Sequence, residues 1–190
     1  MGATLTGGGW LGGVLAPNGK IYCLPSSASD ILIIDPATAT ATRSTMGATF
    51  TGGWLGGVLA PNGKIYGIPG NGTTILTIDT LAGTATTGTM GASLPGNTAW
   101  FGGALAPNGK IYAAPSTATT FLIIDPVTET ATTSNLGASL PGGNAWAGAV
   151  LGPNGTIYFM PRNAPSVLRL ETGVTISPTS LALTPYFNKF

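Results

Sequence analysis

The chain has 190 residues, which is enough to bury the core of one domain. Only 7% of them are charged and the formal net charge is +1, so the chain lacks the basic surface that nucleic-acid binding requires. A hydrophobic fraction of 43% excludes an intrinsically disordered chain.

The chain contains no histidine, and Cys23 is its single cysteine. An intramolecular disulfide and a Cys/His zinc site are therefore excluded, and we expect no metal and no cofactor. The N-terminal segment MGATLTGGGW has neither the charged start nor the apolar run of a signal peptide. No apolar run approaches the roughly 18 residues that span a membrane, so we expect no membrane insertion.

The same eight residues occur four times along the chain. LAPNGKIY stands at Leu15–Tyr22, Leu59–Tyr66 and Leu105–Tyr112, and returns as LGPNGTIY at Leu151–Tyr158. A tryptophan precedes each copy at the same interval of about 45 residues: Trp10, Trp54, Trp100 and Trp146. A unit of this size made of short strands is typical of one four-stranded propeller blade.

The first unit predicts four strands in chain order. Strand A is Gly12–Pro17, strand B is Lys20–Pro25, strand C is Ile31–Pro36 and strand D is Thr38–Thr42. Strand C is a continuous apolar run, which indicates burial on both faces. Strand D alternates β-branched threonine with small alanine, a pattern that favours a strand. No segment shows a sustained helical period.

Turn residues and glycines punctuate the unit. Asn18-Gly19 predicts a two-residue hairpin in which both residues have positive φ, and Asp35-Pro36 opens the turn between strands C and D. A glycine pair recurs in strand A. Because glycine weakens a strand, the repeated pair indicates close backbone approach near a crowded axis.

The unit W-x-G-G-x-L-A-P-N-G-K-I-Y-x-x-P, followed by I-L-I-I-D-P-x-T-x-T, resembles the blade repeat of a group of uncharacterised β-propeller proteins of bacteria, phages and protists. The resemblance covers Gly7–Thr172. It implies an all-β propeller of four blades, each with four strands, and implies almost nothing about function. We expect a four-bladed ring closed within one chain. Because such proteins tend to have more than four blades, the alternative is an eight-bladed ring completed by a second chain.

The predicted propeller domain spans residues 1–178. Its blades cover about 10–45, 54–89, 100–135 and 146–178, and the last strand of the fourth blade is predicted at Val174–Pro178. Residues 179–190 form a C-terminal tail that covers an edge of the ring or docks on another subunit. Aromatic side chains are favoured at interfaces, so the candidate docking residues are Tyr186, Phe187 and Phe190.

The strand order places the loops on two opposite faces. The A–B and C–D turns, which are nearly constant between repeats, share one face, here called the turn face. The B–C loops and D–A linkers, which vary, share the other, here called the loop face. Recognition usually uses variable loops on a rigid scaffold. The candidate ligand-binding residues lie on or near the loop face: Trp10, Trp54, Trp100, Trp146, Asn71, Asn97, Asn144 and Arg162.

Two interpretations of the tryptophans remain open, since indole rings could stack on sugars or pack between blades. The lysines and aspartates of the turn face are interpreted as solvated pairs and turn caps. Without histidine, paired carboxylates or a nucleophile elbow, we expect that the chain is not an enzyme.

The leading hypothesis is a structural or binding propeller in a larger assembly. Its partners are other protein subunits, as a homo- or hetero-oligomer. The phage occurrence of similar repeats suggests a virion component such as a decoration or tail-fibre-associated protein. The alternative is a soluble lectin-like propeller that binds a glycan on the loop face. Either hypothesis places the protein in a virion or outside the cell.

Overall fold

The computed structural model describes Leu5 and residues 8–173. Val174–Pro178 and the tail with Tyr186, Phe187 and Phe190 lie outside the described residues. Within them, the chain forms strands and no helix that is long and apolar enough to cross a membrane. The described strands are β1 (Trp10–Leu15), β2 (Ile21–Pro25), β3 (Ile31–Asp35), β4 (Thr40–Ser44), β5 (Trp54–Leu59), β6 (Lys64–Pro69), β7 (Ile75–Asp79), β8 (Thr84–Gly88), β9 (Trp100–Leu105), β10 (Ile111–Pro115), β11 (Phe121–Asp125), β12 (Thr130–Ser134), β13 (Trp146–Leu151), β14 (Thr156–Pro161) and β15 (Leu168–Glu171).

The strands form four separate antiparallel sheets in sequence order. β1–β4, β5–β8 and β9–β12 are four-stranded, and β13–β15 form a sheet with three described strands. The prediction of an all-β chain built from repeated blades is therefore confirmed. The register is also repeated, since Val14 pairs with Tyr22 in the first blade as Val58 pairs with Tyr66 in the second.

The inner and outer strands differ from their predicted bounds by two residues. The inner strand begins at the tryptophan, because Trp10 still pairs with Pro25 across an irregularity in the ladder. The outer strand begins at Thr40, because the C–D turn extends to Ala39, which has a φ of 52°. Asp35 Oδ1 caps this turn by accepting hydrogen bonds from the N–H groups of Ala37 and Thr38.

The A–B turn is longer than the predicted two-residue hairpin. Gly19 has a φ of 78°, whereas Asn18 is not among the residues with positive φ. The Gly19 N–H donates to Ala16 O, and the Ala16 N–H donates to Lys20 O. Proline at the second position of the turn and glycine in the left-handed region after it are typical of a type I turn followed by a G1 bulge.

The inner strands lie side by side in chain order, β1 beside β5, β5 beside β9, and β9 beside β13. The first glycine of each pair permits this approach. A Cβ placed on Gly12 would lie 3.4 Å from the Cα of Gly56, and a Cβ on Gly102 would lie 3.1 Å from the Cα of Gly148. The predicted steric role of these glycines agrees with this geometry.

The core lies between blades rather than within them. Each of three hydrophobic clusters joins residues of two consecutive blades. We call the face of a blade that packs on the following blade its outgoing face, and the face that packs on the preceding blade its incoming face. In the first blade the outgoing face is Val14, Tyr22, Leu24 and Ile31. In the second blade the incoming face includes Trp54, Ile65, Leu76 and Ile78.

The described residues show no closure of the fourth blade on the first. A Cβ placed on Gly148, in the fourth blade, would have no described atom within 4 Å. The expected single-chain ring is therefore not seen, and the described blades form an open arc. Among the described strands, β13 is not one of those that lie beside β1.

Candidate functional site

Hydrogen bonds link the loop face from one blade to the next. Thr98 Oγ1 donates to Asn71 Oδ1 at 2.7 Å, which joins the D–A linker before the third blade to a B–C loop of the second. Thr117 Oγ1 donates to Asn97 O at 2.9 Å. Ser116 Oγ donates to Asn144 Oδ1, and Asn163 Nδ2 donates to Gly143 O, so that the contacts extend to the linker before the fourth blade. The predicted residues Asn71, Asn97 and Asn144 thus belong to one continuous belt.

Backbone geometry holds this belt in place. The carbonyl oxygen just before each tryptophan accepts N–H groups from the B–C loop of the same blade, as Ala145 O does from Arg162, Asn163 and Ala164. Asn97 and Asn144 have φ values of 58° and 60°. Asparagine tolerates this left-handed region better than most residues, which accounts for its place in the linkers.

The tryptophans lie inside the blades. Trp54, Trp100 and Trp146 are buried and Trp10 is half-buried. Each indole N–H donates to a backbone carbonyl twenty residues further on, as Trp54 Nε1 does to Thr74 O at 2.8 Å. Trp54, Trp100 and Trp146 expose too little of the ring for a sugar to stack on it, so the structure favours packing for these three residues.

Two grooves on the loop face are lined mainly by hydroxyl and small side chains. One of about 340 Å³ lies between the B–C loop Ser26–Ser29 and the linker residues Phe50, Thr51 and Gly52. The other, of about 350 Å³, is lined by Ser93, Pro95, Trp100, Thr117, Ala118, Thr119, Thr120 and Thr133. Both grooves suit neutral partners that form hydrogen bonds.

Few charges lie on the loop face of the described chain. Arg43 pairs with Asp30, with Nη2 and Oδ2 2.8 Å apart, and its guanidinium lies 5.2 Å from the centre of the Trp10 ring. Arg162, a predicted ligand-binding residue, is exposed on its B–C loop. Arg162 contacts the hydrogen-bonded belt through its backbone N–H, which donates to Ala145 O, and not through its side chain.

The turn face carries the other charged groups of the first three blades. Lys20 Nζ lies 3.5 Å from Asp35 Oδ2, and Lys110 Nζ lies 3.2 Å from Asp125 Oδ2. Lys64 instead pairs with Glu129 of the following blade. The hydrogen bond to Glu129 raises the pKa of Lys64. The solvated lysine–aspartate pairs expected from the repeat therefore form in the first and third blades.

Two carboxyl groups of the turn face, those of Asp35 and Asp125, have lowered pKa values. The Val127 N–H lowers the pKa of Asp125; desolvation opposes this shift, whereas Lys110 and the Thr128 N–H reinforce it. At Asp35, desolvation is outweighed by the N–H groups of Thr38 and Ala37 and by Lys20, so that its pKa is also lowered. These carboxylates serve the turns, and no group of three or more potential metal ligands occurs among the described residues.

The two end faces are the feature that the repeat pattern alone did not reveal. On the outgoing face of the fourth blade Val150 is 58% exposed, Met160 39% and Val167 54%. The equivalent residues of the three preceding blades are buried, apart from the half-buried Val14. On the incoming face of the first blade Leu15 is 45% exposed, and Trp10 and Ile21 are half-buried. The two ends of the arc thus present apolar faces of the type that pack together inside it.

No protein-family model and no curated protein sequence matches the chain. Among solved structures, it is similar to virginiamycin B lyase from Staphylococcus aureus, with a TM-score of 0.68 and 17% identity over 86% of this chain and 53% of that one. It is also similar to an auxiliary nutrient binding protein from Bacteroides ovatus, with a TM-score of 0.65 and 16% identity over 89% of this chain and 46% of that one. A third similar structure is an extracellular domain from B. thetaiotaomicron, with a TM-score of 0.59 and 17% identity over 79% of this chain and 20% of that one.

These similarities support the propeller fold that the blade repeat predicts. The chain spans about half the length of the lyase and of the nutrient binding protein. A nutrient binding protein and an extracellular domain occur among the similar structures, and at 16–17% identity these similarities show the fold alone.

The expectation that the chain is not an enzyme is wrong. It rested on the missing histidine and the missing carboxylate pairs, but the lyase is an enzyme with the same fold. Absence of those groups therefore does not exclude catalysis on a propeller of this kind.

Proposed function

We propose that the chain is a binding and scaffolding segment of a larger assembly, and that it contacts other polypeptide through its two end faces. The exposed outgoing face of the fourth blade carries this proposal. Val150, Met160 and Val167 occupy positions that an adjacent blade covers elsewhere in the chain. Contiguous apolar surface of this kind marks interaction sites in soluble proteins.

The low charge of the chain supports the same role. With 7% charged residues, the surface has little electrostatic protection against association, which suits a protein that works inside an assembly. A virion component, such as a decoration or tail-fibre-associated protein, is the setting that the repeat resemblance suggests.

Native mass tests this proposal. We expect the purified chain to sediment above its monomer mass of 18.9 kDa, because burial of the end faces is favourable. Val150→Asp places a charge on the outgoing face and should shift the chain towards monomer. Val127→Asp is the matched control, because Val127 is 88% exposed in a turn of the third blade. A monomeric wild-type chain whose mass neither substitution changes would contradict the proposal.

A second candidate function is binding of a neutral glycan on the loop face. The hydroxyl-lined grooves and the hydrogen-bonded belt of the loop face favour glycan binding, because sugars are recognised by groups that donate and accept hydrogen bonds. Asn97→Gly, which keeps the left-handed backbone, and Thr117→Ala should weaken binding of a free sugar while the fold is kept. Titration calorimetry against a panel of neutral sugars tests this, and the absence of binding to all of them would count against the glycan.

A further inference from the structure

We infer that a second copy of this chain occupies both end faces, so that two chains pack head to tail into one eight-bladed ring. The inference rests on the proposed assembly role and names the partner. It follows from the interfaces between the described blades, which show which side-chain sizes on an incoming face fit a given outgoing face.

At the first interface inside the arc, a large side chain on the outgoing face packs on small residues of the next incoming face. Leu24 of the first blade lies over Gly57 and Gly67 of the second. A Cβ on Gly67 would lie 2.6 Å from Leu24 Cδ2, and a Cβ on Gly57 would lie 2.9 Å from either Leu24 Cδ atom. This interface therefore accepts leucine only because the facing positions are glycine.

The following two interfaces also combine a large residue with a small one, and in the third the large residue is on the incoming face. At the same positions Ile68 of the second blade shares a core cluster with Ala113 of the third. Ala114 of the third blade shares one with the large Phe159 of the fourth. The pairs are thus leucine with glycine, isoleucine with alanine, and alanine with phenylalanine. A large residue on one side is matched by a smaller one on the other, as close packing demands.

The two end faces of the described arc follow the same rule. The next outgoing residue is Met160, which is 39% exposed. The matching incoming residue is Cys23, which pairs with Gly13 in the β1–β2 ladder as Gly67 pairs with Gly57 in the second blade. Methionine is large and adaptable, and cysteine is small, so the two ends of one chain are complementary in size.

Charge does not prevent this contact. Arg169 is the charged residue at an outgoing position of the fourth blade, and its Nη2 lies 3.8 Å from Glu171 Oε1. The equivalent residues Ile33 and Ile123 remain partly exposed beside a neighbouring blade. A guanidinium at this place can therefore stay in water at the rim of the interface.

Symmetry favours two copies over a longer series. The four described blades offer one outgoing and one incoming face, so the contact is heterologous and closes a ring when its rotation allows. Two four-bladed arcs make eight blades, which lies within the range of about four to eight that propellers adopt. The outgoing and incoming end faces of both arcs are then covered.

Cross-linking between the two ends tests the inference. Met160→Cys places a thiol opposite Cys23 of the second copy, and the substitution lies at an exposed position where folding is little affected. Oxidation, or a short bis-maleimide, is applied at alkaline pH, because burial raises the pKa of Cys23. We expect covalent dimers and no cross-linked products of three or more chains. The dimers should be lost when Cys23→Ser is combined with Met160→Cys. Leu81→Cys is the control, since Leu81 is 98% exposed in a turn of the second blade.

The other outcomes each overturn the inference in a distinguishable way. A cross-link within one chain, at monomer mass, means that the arc closes on itself, and both the second copy and the proposed assembly role fail. A ladder of three or more chains contradicts the closed ring but leaves the assembly role standing. An oligomeric wild-type chain without the cross-link shows that something other than a second copy covers these faces, and again only the inference fails. Sedimentation of the unmodified chain at twice 18.9 kDa is the supporting result that requires no substitution.

Discussion

Asn62 of the second blade is hydrogen-bonded to Pro126 of the third. Its Nδ2 donates to Pro126 O at 3.1 Å and to Tyr66 Oη at 2.9 Å, and its Oδ1 accepts from the Lys64 N–H. The same side chain thus shapes its own turn and joins two blades on the turn face. Asn18 makes the corresponding bond to Thr80 O.

Asn62→Ala is expected to destabilise the chain more than Asn154→Ala. Asn154 shapes the equivalent turn of the fourth blade, with bonds to Tyr158 Oη and the Thr156 N–H, and no described blade follows it. The difference should be about 1 kcal/mol in the free energy of unfolding, the typical value of one hydrogen bond. Urea denaturation of both variants measures it. Equal losses would show that the bond between blades contributes nothing to stability.

Trp54→Ala is expected to unfold much of the chain rather than to remove a ligand contact. Trp54 is 0% exposed, lies in the cluster between the first two blades, and stacks edge-on with Phe50. Truncation of such a residue costs about 3–5 kcal/mol. Trp54→Phe keeps most of the packing and loses the bond to Thr74 O, so a smaller loss is expected. Circular dichroism during thermal unfolding separates the two, and a stable, folded Trp54→Ala variant would contradict the packing role.

The blade repeat could be predicted from the sequence because each unit carries its own pattern of turns and strands. Strand starts were less predictable: the outer strand begins at Thr40 because Ala39 adopts a left-handed conformation, which few non-glycine residues do. Ring closure could not be predicted, since it depends on the rotation between blades. Val150 and Met160 are apolar like their buried equivalents, and only the structure shows that they are exposed.

At the candidate site, the sequence predicted the loop residues of the hydrogen-bonded belt but not the contacts between them. Asn71 and Asn97 could be named as loop residues from their variable surroundings. Their partners, Thr98 and Thr117, were missed because these contacts join separate segments in space. The asparagine of the PNG turn donates to the tyrosine of its own blade in every repeat. Its recurrence is explained by this local bond, so it gave no signal of the bonds that Asn18 and Asn62 make to the next blade.

Acidification is expected to remove the stabilising effect of Asp125. Its pKa is lowered in the folded chain, mainly by the Val127 N–H, so its charged form is favoured by folding. This contribution is fully present above the unfolded pKa of about 4 and is lost as the pH falls through the folded value. The stability advantage of the wild type over Asp125→Asn should therefore shrink below about pH 4. Denaturation midpoints measured from pH 7 to pH 2.5 test this, and an advantage that stays constant or grows would contradict it.

Gly67→Ala is expected to destabilise the first blade interface by about 1–3 kcal/mol, the usual cost of overpacking. The added Cβ would lie 2.6 Å from Leu24 Cδ2 and 3.0 Å from Leu76 Cβ, and Leu24 is fully buried. Gly88→Ala is the matched control in the same blade, because a Cβ there meets nothing within 4 Å. Its effect should stay within about 0.5 kcal/mol.

The double variant Leu24→Ala/Gly67→Ala decides whether the two positions act as a pair. Leu24→Ala alone should cost about 2–5 kcal/mol through the cavity that it leaves. With alanine at both positions, the new methyl group occupies part of that cavity and its clash with leucine is gone. The double variant is therefore expected to be more stable than the sum of the single losses predicts, by about 1 kcal/mol or more. Additive losses in urea denaturation would mean that the volumes on facing blades are not matched, and the pairing of Met160 with Cys23 would lose its basis.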